Sequence, residues 1–108
     1  MEKRPKTTTY SYGKVSEAVR RLAVGAEGIK DRLIGAGQVF FCVMSEGVPE
    51  ELREDVIWVR DQLTRFPPIG SEGALRATVR RIRKTTGVKI AKRIFYIYTR
   101  LQDYVEHP

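Results

Sequence analysis

The sequence predicts an all-α protein, a compact four- to five-helix bundle behind a mobile basic N-terminal tail. Three observations predict it. Apolar residues recur at three- and four-residue steps along most of the chain, Pro- and Gly-containing stretches punctuate that period at intervals suited to short helices, and 108 residues with 42% apolar content suffice for one core. The 31% charged content does not outweigh this apolar fraction, so the chain is expected to fold rather than remain disordered.

Residues 1–12 (MEKRPKTTTYSY) hold Lys3, Arg4 and Lys6 with Pro5 and three threonines but no apolar period, and are read as a flexible tail. Residues 13–108 are read as a single helical domain. Ser16 is a suitable N-cap for a short first helix ending near Gly25, with Val15, Ala18, Val19 and Leu22 on one face. A second helix is expected over about 28–45 through Ile29, Leu33, Ala36, Phe40, Val43 and Met44. Gly35 and Gly37 inside it each cost about 1 kcal/mol against alanine, which predicts a kink or a close approach of another backbone. The run Val39–Val43 also fits a strand; the helical pattern upstream favours helix.

The third helix is the clearest. Pro49 suits a first turn, Glu50 and Glu51 suit the positive end of the helix dipole, and Leu52, Val56, Val59, Leu63 and Phe66 follow a 4-3-4-3 spacing before Pro67-Pro68 stops it. Ser71 offers an N-cap for a fourth helix carrying Leu75, Val79 and Ile82, and Thr85-Thr86-Gly87 reads as the turn that ends it. The fifth helix, about 88–105, has one apolar line through Ala91, Ile94, Phe95, Tyr98, Leu101 and Val105 and another through Ile90, Ile97 and Tyr104. Two lines predict a central helix or one covered by a second subunit.

Charge is separated along the chain. The segment from Glu46 to Asp61 holds six acids and two bases, a formal −4, whereas Gly73 to Gln102 holds nine bases (Arg76, Arg80, Arg81, Arg83, Lys84, Lys89, Lys92, Arg93, Arg100) and no acid, a formal +9, within a net charge of +7. Arg76, Arg80 and Arg83 are expected on one stripe of the fourth helix, and Lys89, Arg93 and Arg100 line up on the fifth with Tyr96 between them. Like charges four residues apart cost a helix a few tenths of a kcal/mol, so a compensating anion is expected. Three candidates compete: the chain's own acidic helix, an acidic partner protein, and nucleic-acid phosphate, with Tyr96 or Tyr98 stacking on an unpaired base. Pairing to Glu50, Glu54 or Asp61 would count against phosphate binding.

A helix-turn-helix reading of Thr78–Leu101 places Arg83 where a small residue belongs and Arg93 where an apolar one belongs. Gly87 is therefore read as a plain connection between bundle helices. Trp58, at the rim of the third helix's apolar stripe, is either partly buried core or a candidate interface residue.

Enzyme chemistry is not expected. The only histidine, His107, is next to the C-terminal residue, and the only cysteine, Cys42, falls in an apolar run that reads as core. One His and one Cys do not make an ordinary zinc site, and no glycine loop suits a nucleotide, so no metal, cofactor or small-molecule substrate is expected. No stretch reaches the ~18–20 apolar residues of a membrane span, no apolar signal core follows the basic N-terminus, and a lone cysteine suits a reducing compartment; a cytoplasmic protein is expected. The reading is of a small non-enzymatic protein that binds a protein partner or a second copy of itself, a homo-oligomer being expected. The alternative is a nucleic-acid-binding protein using the last two helices.

Overall fold

A computed structural model describes residues 6–107, and among them the chain is all-helical apart from an isolated antiparallel bridge between Ile69 and Glu72. Five α-helices follow in order: α1 Lys6–Val24, α2 Ile29–Phe40, α3 Arg53–Leu63, α4 Ala74–Arg81 and α5 Lys84–Glu106, with two 3-10 turns, Ser45–Gly47 and Glu50–Leu52, between α2 and α3.

The expected tail is corrected from Lys6 onward; the rest of it lies outside the described residues. Helix α1 begins ten residues before the Ser16 cap the sequence suggests, and its inward positions run Thr8, Ser11, Val15, Ala18 at helical steps. The first two are polar, which hides the period. Ser11 is buried because its hydroxyl donates to the Gly47 carbonyl at 2.9 Å, and Ser16, in mid-helix, donates back to the Tyr12 carbonyl at 2.7 Å instead of capping.

Helix α2 ends at Phe40, five residues short of expectation, and Val39–Val43 forms neither a longer helix nor a strand. The chain turns there through bonds from the Cys42 and Val43 amides to the carbonyls of Val39 and Phe40. Arg60 of α3 takes up the carbonyls left over, donating to Phe41 and Val43 at 2.9 Å each. This turn puts Cys42 at the surface rather than in the core. The close approach expected at the paired glycines is made at Gly37, where an added Cβ would lie 2.9 Å from Leu75 of α4 and 3.4 Å from Leu63; the neighbours are side chains rather than a second backbone. Gly35 has room, its nearest neighbour being Arg21 at 3.8 Å.

Helix α3 buries Val56, Val59 and Leu63 as the spacing predicts, but both ends differ from expectation: Glu50, Glu51 and Leu52 form the separate 3-10 turn that precedes it, and it stops at Leu63, leaving Phe66 in the following loop. After it, buried Thr78 ties the loop to α4: the Phe66 amide donates to its hydroxyl at 2.9 Å, and the hydroxyl donates to the Phe66 carbonyl at 3.3 Å. Gly70 turns this loop with φ +58°, a conformation that favours glycine. Gly73 rather than Ser71 occupies the N-cap of α4.

The junction of the last two helices also differs from expectation. Ile82 and Arg83 are extended, with ψ of 159° and 156°, and α5 starts at Lys84, so Thr85-Thr86-Gly87 is helix and not turn. Ile82 is anchored in the core, which places the break there. Helix α5, 23 residues and about 35 Å long, packs against α1, α2 and α3 with Ile90, Ile94, Ile97 and Leu101 fully buried. One core cluster joins residues from all five helices.

Two glycines in helices with different surroundings give a paired prediction. An alanine Cβ at Gly87 would meet Leu33 at an ordinary 3.6 Å, so Gly87→Ala should stabilise by about 0.5–1 kcal/mol through helix propensity. Gly37→Ala must displace the terminal methyls of Leu75, and urea denaturation should find it less stable than Gly87→Ala by about 1 kcal/mol.

Candidate interaction surfaces

The rotation of α5 sorts its basic residues into separate environments. Residues on the side facing α3 meet acids: Arg93 pairs with Asp55 at 3.0 Å, and Arg100 with Glu51 at 3.4 Å, Glu51 also accepting from the Tyr104 hydroxyl. On α4, Arg80 pairs with Glu72 of the preceding loop at 3.1 Å, while its carbonyl accepts from Lys30. Intramolecular compensation is thus partial, and its acids are Asp55, Glu51 and Glu72 rather than the expected Glu50, Glu54 and Asp61. All three pairs are at least partly exposed, so each contributes ~1 kcal/mol or less.

The other six bases of the Gly73–Gln102 stretch, Arg76, Arg81, Arg83, Lys84, Lys89 and Lys92, are exposed and make no ion pair among the described residues. They do not form one stripe. Arg81 lies over the Phe66 ring at 5.6 Å, and Arg76 helps line a polar hollow of about 490 Å³ with Arg21, Asp31 and Arg32. Arg83 is the N-cap of α5, so it does not continue the Arg76–Arg80 stripe of α4. Lys89 and Lys92 stand on the outer side of α5 with Tyr96, which is 47% exposed.

Trp58 and Arg93 form one unit. Trp58 is half-buried, and the Arg93 guanidinium lies 4.3 Å from the centre of its ring while Asp55 holds the same guanidinium from α3. A cleft of about 270 Å³ opens beside them, walled by Lys89, Lys92 and Tyr96.

On the opposite flank of α5 the sequence reading missed a surface. Phe95, expected in the core, is 52% exposed, and Val88 is 40% exposed. Together with Ala91 they face Val19, Leu22 and Ala23 of α1 across a groove of about 400 Å³, with Ile29 at the start of α2 and Lys92 completing it. The signal was present: once Ile90, Ile94, Ile97 and Leu101 are taken as the core stripe, Val88 and Phe95 fall a quarter-turn or more off it. Farther along the same seam Tyr12 and Tyr98 stack at 5.8 Å, and Phe95 tilts against Tyr98 at 5.8 Å. Hydrogen bonding with Tyr12, then the charge of that neighbouring phenol, pushes the Tyr98 phenol above the usual tyrosine range.

Among the described residues, no three His, Cys, Asp or Glu side chains gather where they could hold a metal ion, and no helix is long and apolar enough to cross a membrane. His107, just past the end of α5, lies 3.8 Å from Asp103 in the last turn of that helix, with both side chains largely exposed. No protein-family model, curated protein or solved structure matches the chain.

The Arg93 unit predicts a salt-sensitive stability term. Asp55→Ala should cost about 0.5–1 kcal/mol in urea denaturation at low salt, with a smaller loss at high salt. It should also shift Trp58 fluorescence as the guanidinium leaves its ring face. An unchanged emission spectrum together with a salt-independent loss would contradict the arrangement.

Proposed function

We propose that the protein is a non-enzymatic binding protein of the cytoplasm that receives an amphipathic, acidic helix of a partner protein in the groove between α1 and α5. The observation that carries this is the groove itself, an apolar channel with a cationic edge. Its walls are Val19, Leu22 and Ala23 on one side and Val88, Ala91 and Phe95 on the other, and no carboxylate lines it. Exposed apolar side chains gathered in one place favour burial by a partner, at about 1.5–3 kcal/mol per large side chain covered.

The groove's dimensions suit a helix. From Val88 to Phe95 α5 advances about 10 Å, or two turns, which matches partner anchors at i, i+3 or i+4, and i+7. Charge selects the partner. Lys92 is part of the lining, Lys84 sits one turn before Val88, and exposed Arg20 follows Val19. A second copy docking through the same groove would bring Lys92 towards Lys92, whereas a helix with glutamates flanking its apolar line would neutralise that edge. A homo-oligomer is the competing occupant that the charge pattern disfavours.

A labelled synthetic helix with leucines at i, i+3 and i+7 and glutamates beside them is expected to bind more tightly than its scrambled counterpart in fluorescence anisotropy. Phe95→Asp, at an exposed position, should weaken it by about tenfold or more while leaving the helical circular dichroism unchanged. Equal binding of the two peptides, or indifference to Phe95→Asp, would count against the proposal. Light scattering on the same samples should report a monomer; a dimer dissociated by Phe95→Asp would assign the groove to a second copy instead.

A further inference from the structure

We infer that the cleft beside Trp58, on the α3 side of α5, is a separate site that stacks an unpaired base of single-stranded nucleic acid and holds its phosphates with Lys89 and Lys92. The cleft brings together two aromatic rings, Trp58 and Tyr96, and three cations, Lys89, Lys92 and Arg93, with no carboxylate in its lining. The cations are not equivalent. Arg93 is neutralised by Asp55 and lies over the Trp58 ring, so it serves as a fixed floor. Lys89 and Lys92 make no ion pair among the described residues and are exposed, leaving their charge for a ligand.

Helix geometry gathers these groups. Lys89, Lys92, Arg93 and Tyr96 stand at i, i+3, i+4 and i+7, so they share one side of α5, and the unpaired Lys89 and Lys92, three residues apart, repel one another until an anion arrives. Tyr96 offers a ring that is 47% exposed, with the cationic side chains one and two turns before it. A flat ring attached to a phosphate is the ligand that satisfies both features.

The size of the cleft points to a strand rather than a free cofactor. At about 270 Å³ it falls below the ~300–1,000 Å³ of pockets that enclose a whole small ligand, so one ring enters while the rest of the ligand stays outside. The exposed bases Arg83 and Arg81 lie farther towards the junction with α4, where a continuing backbone meets further positive charge. A duplex fits poorly. Its bases are already stacked, and α1 and α3 flank α5 on both sides, so α5 cannot enter a major groove as a free recognition helix.

Trp58 is the only tryptophan, so its intrinsic fluorescence reports on this cleft directly. Titration with oligothymidylate should quench it saturably, and the affinity should fall by roughly tenfold or more between about 50 and about 200 mM salt if three phosphates are neutralised. An abasic oligomer with the same phosphates should bind about tenfold or more weakly, and Tyr96→Ala should cost the normal oligomer a similar factor. Lys89→Glu should weaken both oligomers. Circular dichroism checks that these surface variants remain folded, and Phe95→Ala, which shortens a side chain of the groove on the other flank without adding charge beside Lys92, should leave the titration unchanged. The inference is overturned if quenching is absent at low salt, if Tyr96→Ala binds as tightly as the parent, or if the abasic oligomer, a duplex or polyglutamate binds as tightly as oligothymidylate.

Discussion

The burial of Ile90, Ile94, Ile97 and Leu101 against α1, α2 and α3 is the constraint on which the rest of the surface depends. These four side chains occur at alternating four- and three-residue steps and have no exposed area, so they fix the rotation of a 23-residue helix about its own axis. With that angle set, every other residue of α5 has an assigned neighbour. Arg93 and Arg100 turn towards the acids beside and on α3, Phe95 and Tyr98 turn towards α1, and Lys89, Lys92 and Tyr96 are left outward. A rotation of α5 by one residue would carry Ile94 out of the core and Phe95 towards it.

The same constraint accounts for the incomplete cancellation of charge. A +9 stretch beside a −4 segment suggests broad intramolecular pairing, yet among the described residues only Arg93, with Asp55 of α3, and Arg100, with Glu51 of the preceding 3-10 turn, form ion pairs between the two. Acids such as Glu54 and Asp61 are exposed on α3 and make no ion pair among the described residues. The remaining positive charge is therefore a result of where the core stripe lies. It falls between an apolar groove and an aromatic cleft, and Lys92 belongs to the lining of both. The two proposed surfaces on opposite flanks of α5 would be coupled electrostatically through that lysine, a ligand on either side altering the charge that the other sees.

Much of the helical pattern was legible because its inward positions are aliphatic: α3 and the centre of α5 follow directly from the spacing of Leu52, Val56, Val59 and Leu63 and of Ile90, Ile94, Ile97 and Leu101. The hidden parts share a different physical cause. Thr8 and Ser11 are polar residues buried at helical steps, and Ser11 is tolerated there because the Gly47 carbonyl, thirty-six residues away, accepts from its hydroxyl. Gly87 carries a turn signature but sits in α5, since the core fixes Ile82 and moves the extended break to Ile82–Arg83. Cys42 reads as core from its neighbours and is exposed, because α2 ends at Phe40 where Arg60 can take the freed carbonyls. Each miss depends on a residue distant in sequence, which a local period does not register.

The sequence by itself determined an all-helical chain, the positions of its main apolar stripes, and the segregation of acid and base into separate segments, because helical period and formal charge are local properties. Only the tertiary structure decided which charges meet, which aromatic residues stay outside, and how the flanks of α5 differ. Tyr96 and Phe95 are adjacent in the chain and alike in chemistry; the helical period turns both away from the core stripe, but it does not say which helix flanks each side, and so does not place one beside Trp58 and the other in a groove with α1. That assignment follows from a rotation angle set by contacts with three other helices, a quantity that exists only once the chain has packed.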